Sequence, residues 1–282
     1  RRTNIKSVDQ MPVLDELPVE NAPEGIRNIY AAIEASLSVK LVNLVYRHLA
    51  TVPGALEWAW GTVGPVFENG VFAERSRGLG TLGDIPATTI VSLSQAGLSN
   101  IQSQKAIETV DAYNRANPMN ALSLRVLAIA LETGRPAVCR PPVPVDIPEL
   151  PALLPMTPLE RVAPETRDTL FHLARLTTGQ NSGLVPSLFR HFAAWPDLLT
   201  GLADWLEPLA EDGVIERQVA AISKKSDEIA RDIFAQLAPP GDGAVLPDAA
   251  TRDALLKTIE IFPPTICRMI VIGGLLHTAL RL

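Results

Sequence analysis

The sequence predicts an all-α protein built from two pseudo-symmetric helical repeats, joined by a proline-rich linker, with a cleft between the repeats. Three observations predict it. The first is self-similarity. Val45–Glu74 can be laid on Leu188–Arg217 without a gap, at an offset of 190 − 47 = 143. Arg47 then meets Arg190, His48 meets His191, Ala50 meets Ala193, Pro53 meets Pro196 and Leu56 meets Leu199. Pro65 meets Pro208, Glu68 meets Glu211, and Gly70-Val71 meets Gly213-Val214. These are nine identities in thirty positions, where composition alone gives roughly two. A second block, Thr109–Tyr113, matches Thr258–Phe262 at an offset of 258 − 109 = 149. The second observation is apolar spacing of three and four, the period of a helix with one buried face. Leu41, Leu44, Val45 and Leu49 form one such stripe, Leu184, Leu188, Phe189 and Phe192 another, and Leu198, Leu202, Leu206 and Leu209 a third. The third is the absence of an Asn-Gly type turn between alternating apolar runs, the signature of a hairpin.

The expected organisation is an N-terminal extension (1–23), a first repeat (24–134), a linker (135–163) and a second repeat (164–282). Nine prolines mark the linker and its end: Pro136, Pro141, Pro142, Pro144, Pro148, Pro151, Pro155, Pro158 and Pro164. Such a run takes an extended path, long enough to wrap over the seam between the repeats. Within each repeat, five or six helices are expected. Pro53 and Pro196 stand where a helix starts, a favoured place for proline. Pro65 and Pro208 come late and should kink or end that helix. Gly70 and Gly213 follow as left-handed stops. Asn117-Pro118 reads as a helix break followed by a new N-terminus.

Composition narrows the function. Of 282 residues, 47% are apolar and 20% charged, which is globular. The net charge of −6 argues against a nucleic-acid partner, which would need a basic face, but leaves room for a locally positive pocket. The two cysteines, Cys139 and Cys267, form no CxxC, so neither a redox dithiol nor a zinc site is expected, and a reducing cytoplasm is the default. The start, Arg1-Arg2-Thr3-Asn4, opens a polar stretch with no signal-like apolar core. The apolar segment Ile266–Leu282 is interrupted by Arg268, His277 and Arg281, so a buried helix is expected rather than a membrane span.

Few side chains offer chemistry. His48 and His191 are repeat equivalents, each after an arginine. They could pair on a metal, but a polar patch on the same helix face in both copies is the simpler reading, and no metal is expected. Ser187 and His191 share a helix face at i and i+4, without the GxSxG elbow of a serine hydrolase. Tyr113, Asn114, Asn117 and Asn120 form a polar cluster that can cap a helix or orient a carboxylate. Trp58, Trp60, Trp195 and Trp205 read as core, and Cys267 as an inert core thiol.

Taken together, several stretches carry a resemblance. Leu49-Ala50-Thr51-Val52-Pro53-Gly54 with Ala59-Trp60 is similar to the first-repeat segment of the group I 2-haloacid dehalogenases. Asn114 with Asn117-Pro118 resembles their Phe-Asn…Asn-Pro turn, and Ala193-Ala194-Trp195-Pro196 their Asn-Trp-Pro segment. The likeness is colinear over most of the chain. It implies an all-helical, usually dimeric protein with its site between two repeats. The implied reaction is hydrolysis of 2-haloalkanoic acids by a water that an aspartate activates, without metal or organic cofactor. A helix–proline pattern like that of alkylhydroperoxidase D-like proteins is also present, but without their CxxC.

Two departures alter that expectation. The family's Ser-Asp-Phe aligns with Ser187-Leu188-Phe189, so leucine stands at the catalytic aspartate's position, and no acid lies between Thr177 and Ala194. The family's aromatic pocket pair aligns with Leu41 and Leu44, and its pocket tyrosine with Phe262. A general base within hydrogen-bond reach contributes roughly 10²–10⁴-fold to such a reaction, and leucine supplies none. The expected site therefore comprises Leu41, Leu44, Asn114, Asn117, Ser187, Leu188 and Phe262, with Ser187 and Asn117 the retained polar members. The family reaction is lost or altered, or else the cleft binds a small organic acid or apolar molecule without catalysis. Asp111, Glu34 and His191 are the candidate replacement bases. A cytoplasmic homodimer without cofactor, nucleic acid or membrane completes the expectation.

Overall fold

The computed structural model describes residues 14–83, 85, 97–134, 147–178, 184–237 and 246–282. Among these residues the chain forms ten α-helices and no strand. Five precede the linker: α1 (Glu24–Leu37), α2 (Leu44–Leu49), α3 (Ala55–Glu68), α4 (Val71–Arg75) and α5 (Asn100–Thr133). Five follow it: α6 (Pro164–Thr178), α7 (Ser187–Phe192), α8 (Pro196–Glu211), α9 (Val214–Gln236) and α10 (Ala249–Ala279).

Local chemistry sets the boundaries. In α1, Ile26, Tyr30, Ile33 and Leu37 are buried, the spacing of one helical face. The helix stops at Ser38, which takes a left-handed conformation (φ 51°). Ser99 and Gln102 close a reciprocal capping box at the start of α5. Asp248 caps α10 by accepting from the Thr251 amide. Pro196 is the first residue of α8, whereas Pro53 does not open a helix. Val52–Ala55 instead forms a turn closed by the Ala55 N–H to Val52 C=O bond (3.1 Å), and α3 begins only at Ala55. Gly54 has φ 77° and ψ −10°, the third-position geometry of a type II turn with proline second. Pro65 and Pro208 lie inside α3 and α8, which end three residues later, and Gly70 and Gly213 are left-handed (φ 75° and 67°).

The expected break at Asn117-Pro118 does not occur. Helix α5 runs through Pro118 for 34 residues, and α10 likewise runs through Pro263 and Pro264. A proline inside a helix costs about 3 kcal/mol. Here Ala116 through Leu122 are all buried, so packing on both flanks outweighs the lost backbone bond. Of all helix pairs, α5 and α10 pack most extensively, and α9 lies against both. Their close approach uses Gly273, where a Cβ would stand 2.0 Å from Asn114 Oδ1.

The two halves interlock around this central pair. The short helix α2 of the first half packs on α10, and the short helix α7 of the second half packs on α5. In the described part of the linker, 147–158 has no regular secondary structure and Leu159–Arg161 forms a 3-10 helix. The linker is tied down by the Leu150 N–H to Ser38 C=O bond (3.0 Å) and by Arg115, which donates to Pro148 C=O (2.5 Å). Pro136, Pro141, Pro142 and Pro144 lie outside the described residues, as does Cys139. The N-terminal extension is packed where it is described: the Leu17 N–H donates to Arg47 C=O (2.9 Å), and Tyr30 Oη donates to Leu17 C=O (2.9 Å). Helix α10 is long and apolar enough to cross a membrane, yet 67% of its most apolar stretch is buried inside the chain. Trp60, Trp195 and Trp205 are buried, and Cys267 is a buried free thiol.

Candidate functional site

Four helices from both halves enclose a small cavity of about 50 Å³. Helix α2 and its preceding residue supply Asn43, Leu44 and Val45, and α5 supplies Tyr113 and Asn117. Helix α7 and its lead-in supply Leu184, Pro186, Ser187 and Leu188. Phe262, Thr265, Ile266 and Met269 of α10 close the remaining side. Helix α7 places Ser187 and Leu188 here because all six of its residues are buried. It is therefore wedged between α5 and its neighbours rather than exposed on one side. The volume is that of roughly three to five waters, which suits a small organic molecule.

The polar groups of the cavity form a thin network. Asn43 Nδ2 donates to Asn117 Oδ1 (3.4 Å), while Asn43 Oδ1 is buried without a partner. Ser187 Oγ accepts from Arg47 Nη2 (3.2 Å). The Tyr113 hydroxyl is fully buried with no hydrogen bond of good geometry, although Ser187 lies close enough to donate toward its oxygen. Burial is the stronger influence and pushes the Tyr113 pKa well above that of an ordinary phenol. One layer further in, Tyr46 Oη donates to Asn120 Oδ1 (2.9 Å). Two orphaned polar atoms beside an apolar wall are a feature of sites completed by a ligand or water. Among the described residues, no carboxylate and no imidazole lines the cavity.

Leu44, Asn117, Ser187, Leu188 and Phe262 thus meet in one place. Leu41 and Asn114 do not join them. Leu41 faces a separate groove together with Arg47 and Arg190. Asn114 Nδ2 donates to Gly273 C=O (3.0 Å) and borders another groove beside Asp111 and His277. The three candidate bases are also elsewhere. Asp111 pairs with Arg281 (2.8 Å) and His277 (3.1 Å) near the surface. Glu34 lies 3.7 Å from Lys40. His191 is buried behind Tyr113, their ring centroids 5.9 Å apart, and burial lowers its pKa to about 4. His48 instead contacts Phe262 (5.9 Å) and the Asp15 carbonyl (2.9 Å).

The comparisons place this arrangement among known proteins. No protein-family model matches the chain. An (R)-2-haloacid dehalogenase of Pseudomonas putida is 29% identical over 120 residues, which are 40% of this chain and 39% of that protein. A solved D-2-haloacid dehalogenase in complex with L-LA superposes with a TM-score of 0.79 at 15% identity, covering 95% of this chain and 97% of that one. A mutant D-2-haloacid dehalogenase in complex with D-2-CPA gives 0.75 at 16%, covering 95% and 96%. Over nearly its whole length the chain has the fold of these D-2-haloacid dehalogenases, and over 120 residues it is similar in sequence to the Pseudomonas enzyme. The matched segment spans well under two thirds of the Pseudomonas relative, while the fold is shared over nearly the full length of the solved structures.

In this chain the sequence reading missed three kinds of residue. Thr265, Ile266 and Met269 carry no motif, and enter the cavity only because α10 continues through its prolines. Asn43 precedes a stripe that reads as plain core. Glu16, in what reads as an extension, bonds Arg47 (2.7 Å) and Arg190 (2.6 Å). The pairing of Arg47 with Arg190 in the internal alignment was the available signal for that last contact.

Proposed function

We propose that this haloacid dehalogenase-like chain has lost its relatives' hydrolytic reaction, and that it keeps the inter-helix cavity as a binding site for a small, largely apolar organic acid or neutral molecule. The carrying observation is the cavity wall. Leu188 stands where the resemblance puts the catalytic aspartate, and no other lining residue is a carboxylate or imidazole. Activation of water at neutral pH needs such a base within hydrogen-bond reach. Asn117, Ser187 and Tyr113 can orient a polar end, while Leu44, Leu184, Leu188, Phe262 and Ile266 suit an apolar body. The proposal includes a duplicated helical unit, a homodimer and a cytoplasmic setting, on the strength of the internal alignment and the resemblance.

The test is halide release from D- and L-2-chloropropionate and from bromoacetate by the purified chain, with Leu188→Asp beside it. The proposal expects no release above the uncatalysed rate from the unaltered chain. Turnover by the unaltered chain would overturn it and show that a group outside this cavity activates the water. Release by Leu188→Asp alone would mark the cavity as the ancestral site. Binding is read separately, by the change in Tm that 2-chloropropionate or lactate causes in the unaltered chain. Absence of any response to these and to a panel of small apolar acids would refute the binding half of the proposal.

A further inference from the structure

A second polar centre lies on the other side of α2 and α7. Arg47 and Arg190, equivalent positions of the internal alignment, both point at the carboxylate of Glu16. Arg47 Nε donates to one oxygen (2.7 Å) and Arg190 Nη1 to the other (2.6 Å). Both arginine side chains are nearly inaccessible, at 6% and 10% exposure, and Glu16 is at 17%. Arg47 is fixed further by donating to Val42 C=O and to Ser187 Oγ.

The charges do not balance. Two guanidinium groups face one carboxylate, and the adjacent His191 is neutral at pH 7. A surplus positive charge in a shielded place is costly unless an anion answers it. One donor is also unspent, Arg190 Nε, which is buried without a partner. Beside it opens a groove of about 1220 Å³ whose lining includes Arg47, Arg190 and His191; its outer wall carries charges of both signs, among them Lys40, Arg167 and Arg175 and the carboxylates of Asp15, Glu34, Glu160 and Asp168. The carboxylate that fills the centre is borne on a short backbone strap. Residues 15–17 are held by three contacts: Leu17 N–H to Arg47 C=O, Tyr30 Oη to Leu17 C=O, and Asp15 C=O to His48 Nδ1.

We infer that Arg47 and Arg190 form a carboxylate-binding site that the chain occupies with its own Glu16 as an internal ligand. A small carboxylate reaches it from the adjoining groove when the strap lifts. Paired guanidinium groups on two elements suit a carboxylate because each oxygen receives its own charged donor. The site is independent of the proposed loss of haloacid hydrolysis, and adjoins the smaller cavity through the Arg47–Ser187 and His191–Tyr113 contacts.

The experiment is Glu16→Gln in the full chain, titrated with sodium formate against sodium chloride at equal ionic strength, with Tm read by circular dichroism. Glutamine keeps the shape and removes the charge. A saturable rise of about 2–4 °C is expected once formate is tenfold above its dissociation constant. The unaltered chain and the double variant Glu16→Gln/Arg190→Gln should show none. If Glu16→Gln does not fold in chloride, its refolding yield is read instead, and a yield that rises with formate supports the site. No formate effect on either readout overturns the inference, as does an equal effect in the unaltered chain or the double variant.

Discussion

Replacing Leu188 by aspartate restores the residue that the resemblance expects, and the structure predicts its cost. Leu188 is 1% exposed. Removing its side chain from that position forfeits about 1.5–3 kcal/mol of burial. The new carboxyl enters a cavity whose walls Leu184, Phe262 and Ile266 are apolar, and no donor is committed to it in the structure. An unsatisfied buried polar group costs about 1–3 kcal/mol more. The sum, roughly 2.5–6 kcal/mol, is a large share of the 5–15 kcal/mol by which domains are stable. Leu188→Asn, which has the same shape and no charge, separates the two contributions. Burial holds the new carboxyl's folded pKa above its unfolded value near 3.9. The extra penalty of aspartate over asparagine is therefore absent below about pH 4, grows as pH rises toward the folded pKa, and is constant above it. Urea denaturation of both variants from pH 4 to 9 reads this difference directly. Parallel pH profiles would refute the apolar cavity. An aspartate variant that gains on asparagine with rising pH would show that Arg47 turns to meet the new charge.

Four further outcomes follow from individual contacts. Burial lowers the folded pKa of His191 to about 4, with the Leu154 carbonyl opposing and Arg47 and Arg190 assisting the shift. The unfolded chain takes up a proton below about pH 6.5 that the folded chain refuses, so stability falls as pH drops from about 6.5 to 4. The loss is about 3 kcal/mol, and His191→Gln should flatten that limb of the profile. Glu16 titrates in a separate window. Burial tends to raise its pKa, but Arg47 and Arg190 together hold it below the usual value, so its contribution is present above about pH 4.3 and is lost only below that. Tyr46→Phe should cost about 1–3 kcal/mol by urea denaturation, because Asn120 Nδ2 is already unpartnered and its Oδ1 would lose the tyrosine donor; a change within about 0.5 kcal/mol would show that this network is dispensable. Cys267 is 3% exposed, and burial pushes its thiol up to about 11. In a Cys139→Ser background its alkylation by iodoacetamide at pH 8 should therefore be at least about 100-fold slower in the folded than in the unfolded chain.

Much of this architecture is legible in residue order because it rests on local rules. Apolar spacing marks helical faces, glycine at 70 and 213 stops helices in the left-handed region, and Ser99 with Gln102 starts one. The approximate site was legible too, since Ser187, Leu188, Asn117 and Phe262 sit in stretches that resemble a family with a site between two repeats. Local rules fail where burial overrides them. Pro118 reads as a break, yet its helix continues because its flanks are packed from both sides. Pro53 reads as a helix start, yet the Gly54 that follows makes a turn cheaper there. Asn114 and Asn117 are three residues apart on one helix, but only Asn117 reaches the cavity, because Gly273 leaves room for Asn114 to dock on α10 instead.

By itself the sequence determined an all-α chain with matched stretches on either side of a proline-rich linker, and a leucine where the resemblance calls for an acid. Those are properties of neighbours along the chain and of its two aligned segments. Only the tertiary structure decided that no carboxylate or imidazole among the described residues lines the cavity, that Leu41 and Asn114 face elsewhere, and that Glu16 joins Arg47 to Arg190 across 31 and 174 positions of sequence. Such contacts depend on how the helices of the two halves cross, and crossing is set by the packing of whole faces, which no short stretch of residues encodes.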